Sequence, residues 1–405
     1  MGWQVGFRRC VGEGISTCNG GERIQTMEAM HLPLKRKFGQ ASWRIEHDVV
    51  EFWMTEKGGM LAPAYFELGD GRKIQPFSVA PWAEERVSED IPPLLEALRG
   101  DFFCQPFGGN EKAWRGEAHP PHGESANADW EFVDFVRNKE SAELRLRLEA
   151  KVREGVIDKR VSVRRGERAL YCEHLLSGFR GSMPIGNHPC LRFESEGRIS
   201  VGGWREGQVL PVDFEDPAMG GYSALKRGAT FDSLERVPMA NGEVADLTRY
   251  PARNGFEDLV MLKGMPGRRF GWSAVTFPSE GWAFLQLKNA KVLRHTVLWH
   301  SNGGRHYAPW SGRHRNVLGL EETTSYFHLG LADSSGANPI SREGYPTVVQ
   351  LSPKKPLRVP YIFAVVEIPK EFDRVAEVVE RSGEVELISV SGKKARAKLD
   401  LEFVK

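Results

Sequence analysis

The sequence predicts an all-β protein, built as a large sandwich or barrel of antiparallel strands with few short helices. Apolar and polar residues alternate strictly over residues 144–152, as in a strand with one buried face. Glycine (43) and proline (24) recur through the 405 residues. They place turn signals at intervals of roughly 8–12 residues, which is typical of such folds. No repeat of fixed period is visible, and this disfavours a propeller or a solenoid.

The remaining strands are predicted from the same alternation and from the residues that end it. Residues 161–163 and 169–172 form two strands around a glycine-containing turn at 164–168, which predicts a hairpin. Further strands are predicted at 43–45, 49–53, 282–287, 361–366 and 399–403.

Only two helices are predicted, and both are short. One covers residues 92–98. The other covers residues 369–381, where Phe372, Val375 and Val379 would share one face and a proline opens the first turn.

Composition excludes several functional classes. Lys and Arg number 55 against 54 Asp and Glu, so a formal net charge of +1 gives no long-range attraction to nucleic acid or to an anionic membrane. No apolar run approaches the roughly 20 residues of a membrane span. The five cysteines are widely spaced, odd in number and without a C-x-x-C pair, which argues against a disulfide framework and a cysteine-based zinc site. We expect reduced thiols in a cytoplasmic protein.

The chain divides into an extension and one domain. Residues 1–40 are predicted to be a poorly ordered or irregular N-terminal extension, because the first thirty are glycine-rich and polar and lack the apolar region of a signal peptide. We expect an early start codon to account for this extension, with Met27 and Met30 as alternative starts. Residues 41–405 are predicted to form a single domain, which ends in a C-terminal helix and hairpin.

Three segments break the alternation and concentrate His, Gly, Pro, Trp and charged residues: 98–130, 185–193 and 299–325. Taken singly, each feature has an ordinary structural reading. A His beside Pro usually makes a loop hydrogen bond, a Trp usually packs in the core, and Gly-Gly beside Asn is usually a turn. Their joint occurrence, in this order, is what indicates a functional site.

Competing motifs fail on inspection. His122-Gly123-Glu124 matches the H-x-E of zinc deaminases, but Phe193 stands where their second cysteine ligand is required. His119 and His122 have no third ligand at metal spacing, so no metal site is predicted. The sequence contains no Walker A, G-x-G-x-x-G or G-x-S-x-G motif, so a nucleotide enzyme and a covalent serine hydrolase are unsupported.

The three segments resemble the aldose 1-epimerase superfamily, including its hexose-phosphate mutarotase branch. In that family an Arg-Gly segment precedes a His-Gly pair and a Trp, a His-Pro motif follows a strand, and a Glu follows an apolar strand. The matching residues are 99–108, His122-Gly123, Trp130, His188-Pro189 within 186–191, and Glu321 within 319–321. Their order and spacing agree over about residues 43–370.

The resemblance implies a large twisted antiparallel β-supersandwich of the galactose mutarotase-like kind, and it implies roles for three residues. Glu321 would be the general base, His188 the general acid, and His122 would bind the ring oxygen or a hydroxyl. Anomer exchange needs one proton removed from the C1 hydroxyl and one delivered to the ring oxygen, which a carboxylate and an imidazole can do. The chemistry requires neither a cofactor nor a metal ion.

Four more residues are candidates for binding the sugar. Arg99 could donate two parallel hydrogen bonds, and Trp130 could stack on a pyranose face. Asp258 would match the substrate-binding Asp of the family. Arg305 lies in the third segment, where a structural salt bridge is the alternative role.

The sequence departs from the family at three places. Glu124 follows the His-Gly pair where the phosphate branch has an Arg nearby, so a free aldose is expected rather than a sugar phosphate. Cys190-Leu191 replaces an aromatic pair after His-Pro. Glu321 and Glu322 are adjacent, and only one of two neighbours in a strand can face the site.

Two other functions stay open. The chain could be a carbohydrate-binding protein without catalysis, or a lyase or glycosidase, since one fold hosts several chemistries. A glycosidase needs two carboxylates, which Glu321 could supply together with Glu124 or Asp258. The expected partner is a small-molecule sugar, with no nucleic acid and no membrane, and the chain is expected to be a monomer or weak dimer.

Overall fold

The computed structural model describes residues 31–405, and within them the all-β prediction is confirmed. The first part of the chain contains β1 (Lys35–Lys37), β2 (Gln40–His47), β3 (Val50–Thr55), β4 (Leu61–Glu67), β5 (Lys73–Ile74), helix α1 (Pro93–Ala97), β6 (Phe103–Cys104), β7 (Glu131–Arg137), β8 (Ser141–Ala150), β9 (Gly155–Arg164) and β10 (Ala169–Ser177). The middle contains β11 (Gly181–Met183), β12 (Ile185–Asn187), β13 (Cys190–Arg192), β14 (Gly197–Gly202), β15 (Trp204–Val209), β16 (Thr230–Phe231), β17 (Val237–Pro238), β18 (Val244–Ala245), β19 (Arg249–Tyr250), β20 (Phe256–Gly264), β21 (Gly271–Phe277) and β22 (Trp282–Lys288). The last part contains β23 (His295–Asn302), β24 (Val317–Thr324), α2 (Leu331–Ser335), α3 (Pro339–Arg342), β25 (Val349–Leu351), β26 (Leu357–Glu367), β27 (Val375–Arg381), β28 (Glu384–Ser389) and β29 (Lys394–Lys398).

Three large antiparallel sheets form the body of the protein. Strands β1–β5 form a five-stranded sheet in chain order. A nine-stranded sheet has the order β19-β14-β21-β22-β26-β10-β9-β8-β7. An eight-stranded sheet has the order β16-β15-β20-β23-β24-β12-β6, and β13 also pairs with β24. Two strand pairs (β11-β25 and β17-β18) and the sheet β27-β28-β29 complete the described structure.

The main hydrophobic core joins these three sheets. Alternate residues of β8 are buried, as the sequence predicted: Ala142, Leu144, Leu146 and Leu148. Every residue of β22, β23 and β24 is buried, including the polar residues of β23 and β24. A second apolar cluster lies on the other face of β20 and β23 and includes residues of α1 and the loop that follows it. The site described below lies on this second side.

One of the two predicted helices is present and the other is wrong. Helix α1 falls within the predicted range 92–98. Residues 369–381 do not form a helix, because β27 occupies their second half and pairs with β28. A β-bulge between Val375 and Glu377 shifts the alternation, so the buried valines, Val375 and Val378, lie three residues apart. Val379, which completed the predicted helical face with Phe372 and Val375, is only partly buried in this strand.

Two boundaries also differ from the sequence-based expectation. The predicted strand at 399–403 is instead a short 3₁₀ helix (Leu401–Val404), whose first turn is capped by the Asp400 carboxylate. Residues 1–30 of the predicted extension lie outside the described residues. Its last part is ordered, because β1 pairs with β2 over Lys35–Lys37.

Within residues 31–405, no helix is both long enough and apolar enough to cross a lipid bilayer.

Candidate active site

The three segments singled out in the sequence meet at one cavity of about 300 Å³. Its floor is formed by β24, the turn between β12 and β13, and the end of β23. Its walls come from α1, from the loop around residue 122, from β20, from the connection after β15, and from the connections on either side of β24. The lining residues are Pro92, Leu94, Leu95, Leu98, Phe102, Pro121, His122, His188, Phe214, Leu259, Trp299, Arg305, Tyr307, Trp310, Glu321 and His328.

His188 is held by the turn that joins β12 to β13. Both strands pair with β24, which fixes the turn on both sides. The backbone N–H of His188 donates to the carbonyl oxygen of Phe102 (2.9 Å) and to Oδ1 of Asp101 (3.2 Å). The imidazole stacks on the Phe102 ring with centroids 4.5 Å apart, and Nδ1 lies 3.5 Å from Sγ of Cys190. The Nδ1 edge of the ring is therefore occupied, and the Nε2 edge faces the cavity.

Glu321 faces the cavity and Glu322 does not, because neighbours in β24 point to opposite sides of the sheet. Glu322 makes a buried ion pair with Lys288 and accepts hydrogen bonds from Ser273 (2.8 Å) and Thr296 (2.7 Å). These contacts hold Glu322 in the core. The adjacent carboxylates therefore have separate roles, and the one available for chemistry is Glu321.

Glu321 and His188 form a direct pair. His188 Nε2 lies 3.2 Å from Glu321 Oε1, and both side chains are buried. Oε2 of Glu321 makes no hydrogen bond to any described residue. Burial raises the pKa of Glu321 well above its ordinary value and lowers the pKa of His188 to about 3. The low-polarity surroundings thus favour a pair without net charge.

His122 also lines the cavity, as the sequence predicted. It has a positive φ of 59°, and its backbone N–H donates a hydrogen bond to the Gly108 carbonyl oxygen (2.7 Å). Its ring lies edge-on to Phe102 and Phe107, with its centroid 5.1 Å from that of His188. Burial, followed by the proximity of His188, lowers its pKa well below the ordinary range.

Arg305 lines the cavity and makes the salt bridge that was its alternative role. Its Nε donates to Glu215 Oε1 (2.6 Å). The guanidinium carbon lies 4.6 Å from the ring centroid of Trp310, 5.1 Å from that of Phe214 and 5.3 Å from that of Trp299. The cation therefore organises an aromatic wall of the cavity.

The structure does not bring Arg99 to the cavity, where the sequence placed it as a sugar ligand. It is fully buried outside the cavity, where its guanidinium donates to three backbone carbonyl oxygens, those of Ala97 (2.8 Å), Lys37 (3.0 Å) and Phe38 (2.8 Å). These bonds use its donors to join the N-terminal sheet to the segment after α1.

Trp130 and Asp258 are also displaced from the cavity. Trp130 packs in the main core, and its Nε1 donates to the carbonyl oxygen of Ser125 (3.0 Å). Asp258 precedes Leu259 in β20 and faces the opposite side. Its carboxylate accepts from the N–H groups of Ala224 and Leu225 (2.9 Å each) and pairs with Arg253 (2.8 Å).

Several residues of the cavity were not predicted. Trp299, Trp310 and Phe102 lie inside the chemical segments, but they could not be told from core aromatics by sequence. His328 and Phe214 lie outside those segments altogether. The signal that could have found His328 is its position in the turn that follows β24, seven residues after Glu321.

Among residues 31–405, no group of three or more His, Cys, Asp or Glu side chains has the arrangement of a metal site.

No protein-family model and no curated protein matches the sequence. Solved structures do match the fold. A galactose mutarotase-like protein from Clostridium acetobutylicum aligns with a TM-score of 0.56 at 12% identity, over 84% of this chain and 99% of that one. A GalM/aldose epimerase homologue from C. elegans aligns with a TM-score of 0.51 at 13% identity, over 81% and 100%. A galactose mutarotase related enzyme from Lactobacillus acidophilus aligns with a TM-score of 0.50 at 13% identity, over 80% and 97%.

These likenesses establish the fold. The chain has the β-rich galactose mutarotase-like architecture that the sequence predicted. At such identities the neighbours do not carry their activity over to this chain.

Proposed function

We propose that the protein interconverts the anomers of a free aldose by opening and closing the sugar ring. The observation that carries the proposal is the contact between His188 Nε2 and Glu321 Oε1 (3.2 Å) at the floor of an aromatic-walled cavity. The fold of the chain supports it, because its solved neighbours include proteins described as aldose epimerase homologues.

The pair can perform both proton transfers. In the reactive form Glu321 is a carboxylate and His188 an imidazolium. The carboxylate takes the proton of the C1 hydroxyl, the imidazolium gives a proton to the ring oxygen, the C1–O5 bond breaks and a C1 aldehyde forms. Rotation about the C1–C2 bond and reversal of these steps give the other anomer. Each such proton transfer contributes roughly 10²–10⁴-fold.

The size and walls of the cavity favour a single sugar ring. Its volume of about 300 Å³ lies at the lower end of the roughly 300–1,000 Å³ found for small-molecule sites. The rings of Trp299 and Trp310 offer apolar faces, and His122 offers a polar group for the ring oxygen or a hydroxyl. An oligosaccharide would need a longer cleft.

A neutral sugar is favoured, although for a different reason from the one predicted. Glu124 lies outside the cavity, since its carboxylate accepts from the N–H groups of Lys151 (3.0 Å) and Val152 (2.9 Å). It therefore does not repel a ligand. Instead, Arg305 is the one Lys or Arg among the described residues that line the cavity, and its charge is already matched by Glu215. A phosphate group would find no unpaired cation there.

The glycosidase alternative requires a second carboxylate in the cavity, and the described lining residues do not provide one. Glu321 is the one carboxylate among the described lining residues. Glu124 and Asp258, the two candidates for a partner, face elsewhere and are held by backbone N–H groups. A glycosidase requires two carboxyl groups across the scissile bond.

Magnetisation-transfer NMR of anomer exchange, run over a panel of free and phosphorylated aldoses, tests the proposal. We expect faster exchange of at least one free aldose, and loss of that acceleration in Glu321→Gln and in His188→Asn. His306→Asn is the matched control, because His306 is exposed and outside the cavity. Equal exchange with and without protein over the whole panel would remove the enzymatic proposal. Sugar binding that persists in Glu321→Gln, without acceleration in the wild type, would support the non-catalytic alternative.

A further inference from the structure

The cavity contains a third imidazole, that of His328, for which the proton-transfer chemistry has no use. His328 lies in the turn after β24 and is partly buried, with its ring edge-on to Phe214 at a centroid distance of 5.0 Å. Like His122, it lines the cavity beside the Glu321–His188 pair.

One small network of hydrogen bonds places His122 and His328 together. The backbone carbonyl oxygen of His328 accepts a hydrogen bond from the backbone N–H of Gly109 (2.6 Å). The carbonyl oxygen of Gly108 accepts one from the backbone N–H of His122 (2.7 Å). The Asn110 side chain joins the two loops, because it donates to the Gly108 carbonyl (3.0 Å) and accepts from the N–H of Leu331 (2.9 Å). A side chain on Gly108 would lie 2.4 Å from the carbonyl oxygen of His328, so the two loops pack backbone to backbone. The positions of the two imidazoles are therefore set jointly.

Both imidazoles are uncharged at neutral pH. Burial, followed by the positive charge of Arg305, lowers the pKa of His328 to about 4. Burial lowers the pKa of His122 well below its ordinary value. Each ring therefore carries one N–H group and one lone pair.

The surroundings indicate which nitrogen carries the proton. Nδ1 of His122 and Nδ1 of His328 are both buried, and neither has a hydrogen-bond partner among residues 31–405. A buried N–H without an acceptor is rare in proteins because it costs a full desolvation penalty. The proton therefore belongs on Nε2 of each ring, and neither Nε2 is engaged by a described residue. The cavity thus presents two N–H donors that nothing in the described protein satisfies.

We infer that His328 is a further substrate-binding residue, and that it determines specificity by donating its Nε2–H to a hydroxyl oxygen of the sugar remote from C1. This inference rests on the proposed function, in which Glu321 and His188 engage the C1 hydroxyl and the ring oxygen. His122 and His328 then serve two other oxygens. A site that donates a hydrogen bond to a particular hydroxyl discriminates against an analogue that lacks it, because the donor is left unpaired.

Binding of deoxy sugars tests the inference separately from catalysis. The probes are D-glucose and D-galactose with their 2-, 3-, 4- and 6-deoxy analogues. Binding is followed by calorimetry or by the intrinsic tryptophan fluorescence, to which Trp299 and Trp310 of the cavity contribute. We expect the wild type to bind at least one deoxy analogue roughly tenfold more weakly than its parent sugar, as the loss of one hydrogen bond implies. His328→Phe, which keeps an aromatic ring and removes the donor, is expected to bind the parent as weakly as the wild type binds that analogue. The His328→Phe variant is expected to bind the deoxy analogue with the same affinity as the wild type does.

Two more variants complete the test. His328→Gln can still donate a hydrogen bond and should restore part of the discrimination, and it replaces the Phe variant if that variant unfolds. His306→Phe is the control, since it makes the same change on the surface. Unchanged discrimination in His328→Phe, or an equal loss for every sugar, would overturn the inference. Discrimination without anomer exchange would overturn the proposed function alone, and exchange without an effect of His328 would overturn the inference alone.

Discussion

At the level of single residues, the site depends on two groups that burial shifts in opposite directions. The carboxyl of Glu321 holds its proton more tightly than usual, and the imidazole of His188 holds a second proton less tightly. The pair consequently carries one transferable proton over a wide pH range. Whether that proton sits on the carboxyl or on the imidazole, the net charge of the pair is zero. The interior therefore accommodates both forms without burying an isolated charge.

The pH dependence of exchange follows from this shared proton. The form with one proton is the reactive one, and it is lost as the pH rises through the raised pKa of Glu321. We therefore predict a rate that falls on the alkaline side, with an apparent pKa well above the ordinary 4.5 of a glutamate. That apparent value belongs to the pair and not to one residue. Exchange rates measured between about pH 5 and 9 check it, and a rate that climbs through this range would show that the fully deprotonated pair is the active form.

At the level of elements, strand β24 determines which side chains face the cavity and which face the core. Its alternation puts Gly319 and Glu321 on the cavity side and sends Glu322 into the core. Gly319 lies opposite Trp299 of β23, and the missing side chain makes room for both the indole and the carboxylate. A Cβ on Gly319 would lie 2.5 Å from Glu321 Oε1 and 3.1 Å from the Trp299 Cβ.

Gly319→Ala is therefore predicted to inactivate the site through the position of Glu321. Neither neighbour can give way without moving a functional group, and a displacement of about 1 Å costs on the order of a hundredfold in rate. Anomer-exchange kinetics measure the loss, and the crystal structure of the variant shows the displaced carboxylate. Gly69→Ala is the control, because its new methyl would meet its nearest atom, Glu367 Oε1, at 3.4 Å. Full activity in Gly319→Ala would mean that the carboxylate position is not critical.

The elements also show how far sequence reasoning extends. Strands such as β8 were predictable, because one face is buried and the sequence therefore alternates between apolar and polar residues. The strand over 375–381 was not predictable, because Phe372, Val375 and Val379 have the spacing of residues on one helical face although β27 is paired with β28. Local periodicity cannot distinguish these cases, since the pairing with β28 that decides between them lies elsewhere in the chain.

At the level of the whole molecule, the site depends on sheet order. The structure brings His122, His188 and Glu321 to one cavity, and the sequence predicted these three residues because each lies in a motif with a recognisable order. Arg99 and Asp258 carry equally suggestive chemistry, yet their partners are backbone groups that the tertiary fold brings to them. The sequence of a segment does not reveal whether such a side chain will bind a ligand or backbone groups from elsewhere in the chain. The cavity exists because β24 lies between β23 and β12 in the eight-stranded sheet, which pairs Ile185 with Thr324 although they lie far apart in the sequence.

Buried histidines link the stability of the whole molecule to pH. Seven of the eleven histidines have a pKa lowered by burial: His122, His174, His188, His295, His300, His314 and His328. For a group whose pKa is lower in the folded state, the unfolded chain binds the extra proton first. Its stabilising contribution is complete above the unfolded value of about 6.5 and is lost as the pH falls. Three buried carboxyls act in the opposite direction, because burial raises the pKa of Asp101, Glu257 and Glu321.

The seven buried histidines outnumber the three buried carboxyls that act in the opposite direction. We therefore predict that the melting temperature falls as the pH is lowered below about 6.5. His174 provides the sharpest test. It stacks between Phe103 (4.0 Å) and Tyr361 (5.8 Å), and neither of its ring nitrogens has a hydrogen-bond partner among the described residues. His174→Phe fits the same stack and cannot be protonated, so its melting temperature should fall less steeply with acid than that of the wild type. His306→Phe, altered on the surface, should follow the wild-type curve. Scanning calorimetry over a series of pH values measures all three proteins, and parallel curves for wild type and His174→Phe would show that buried histidines do not control the acid sensitivity.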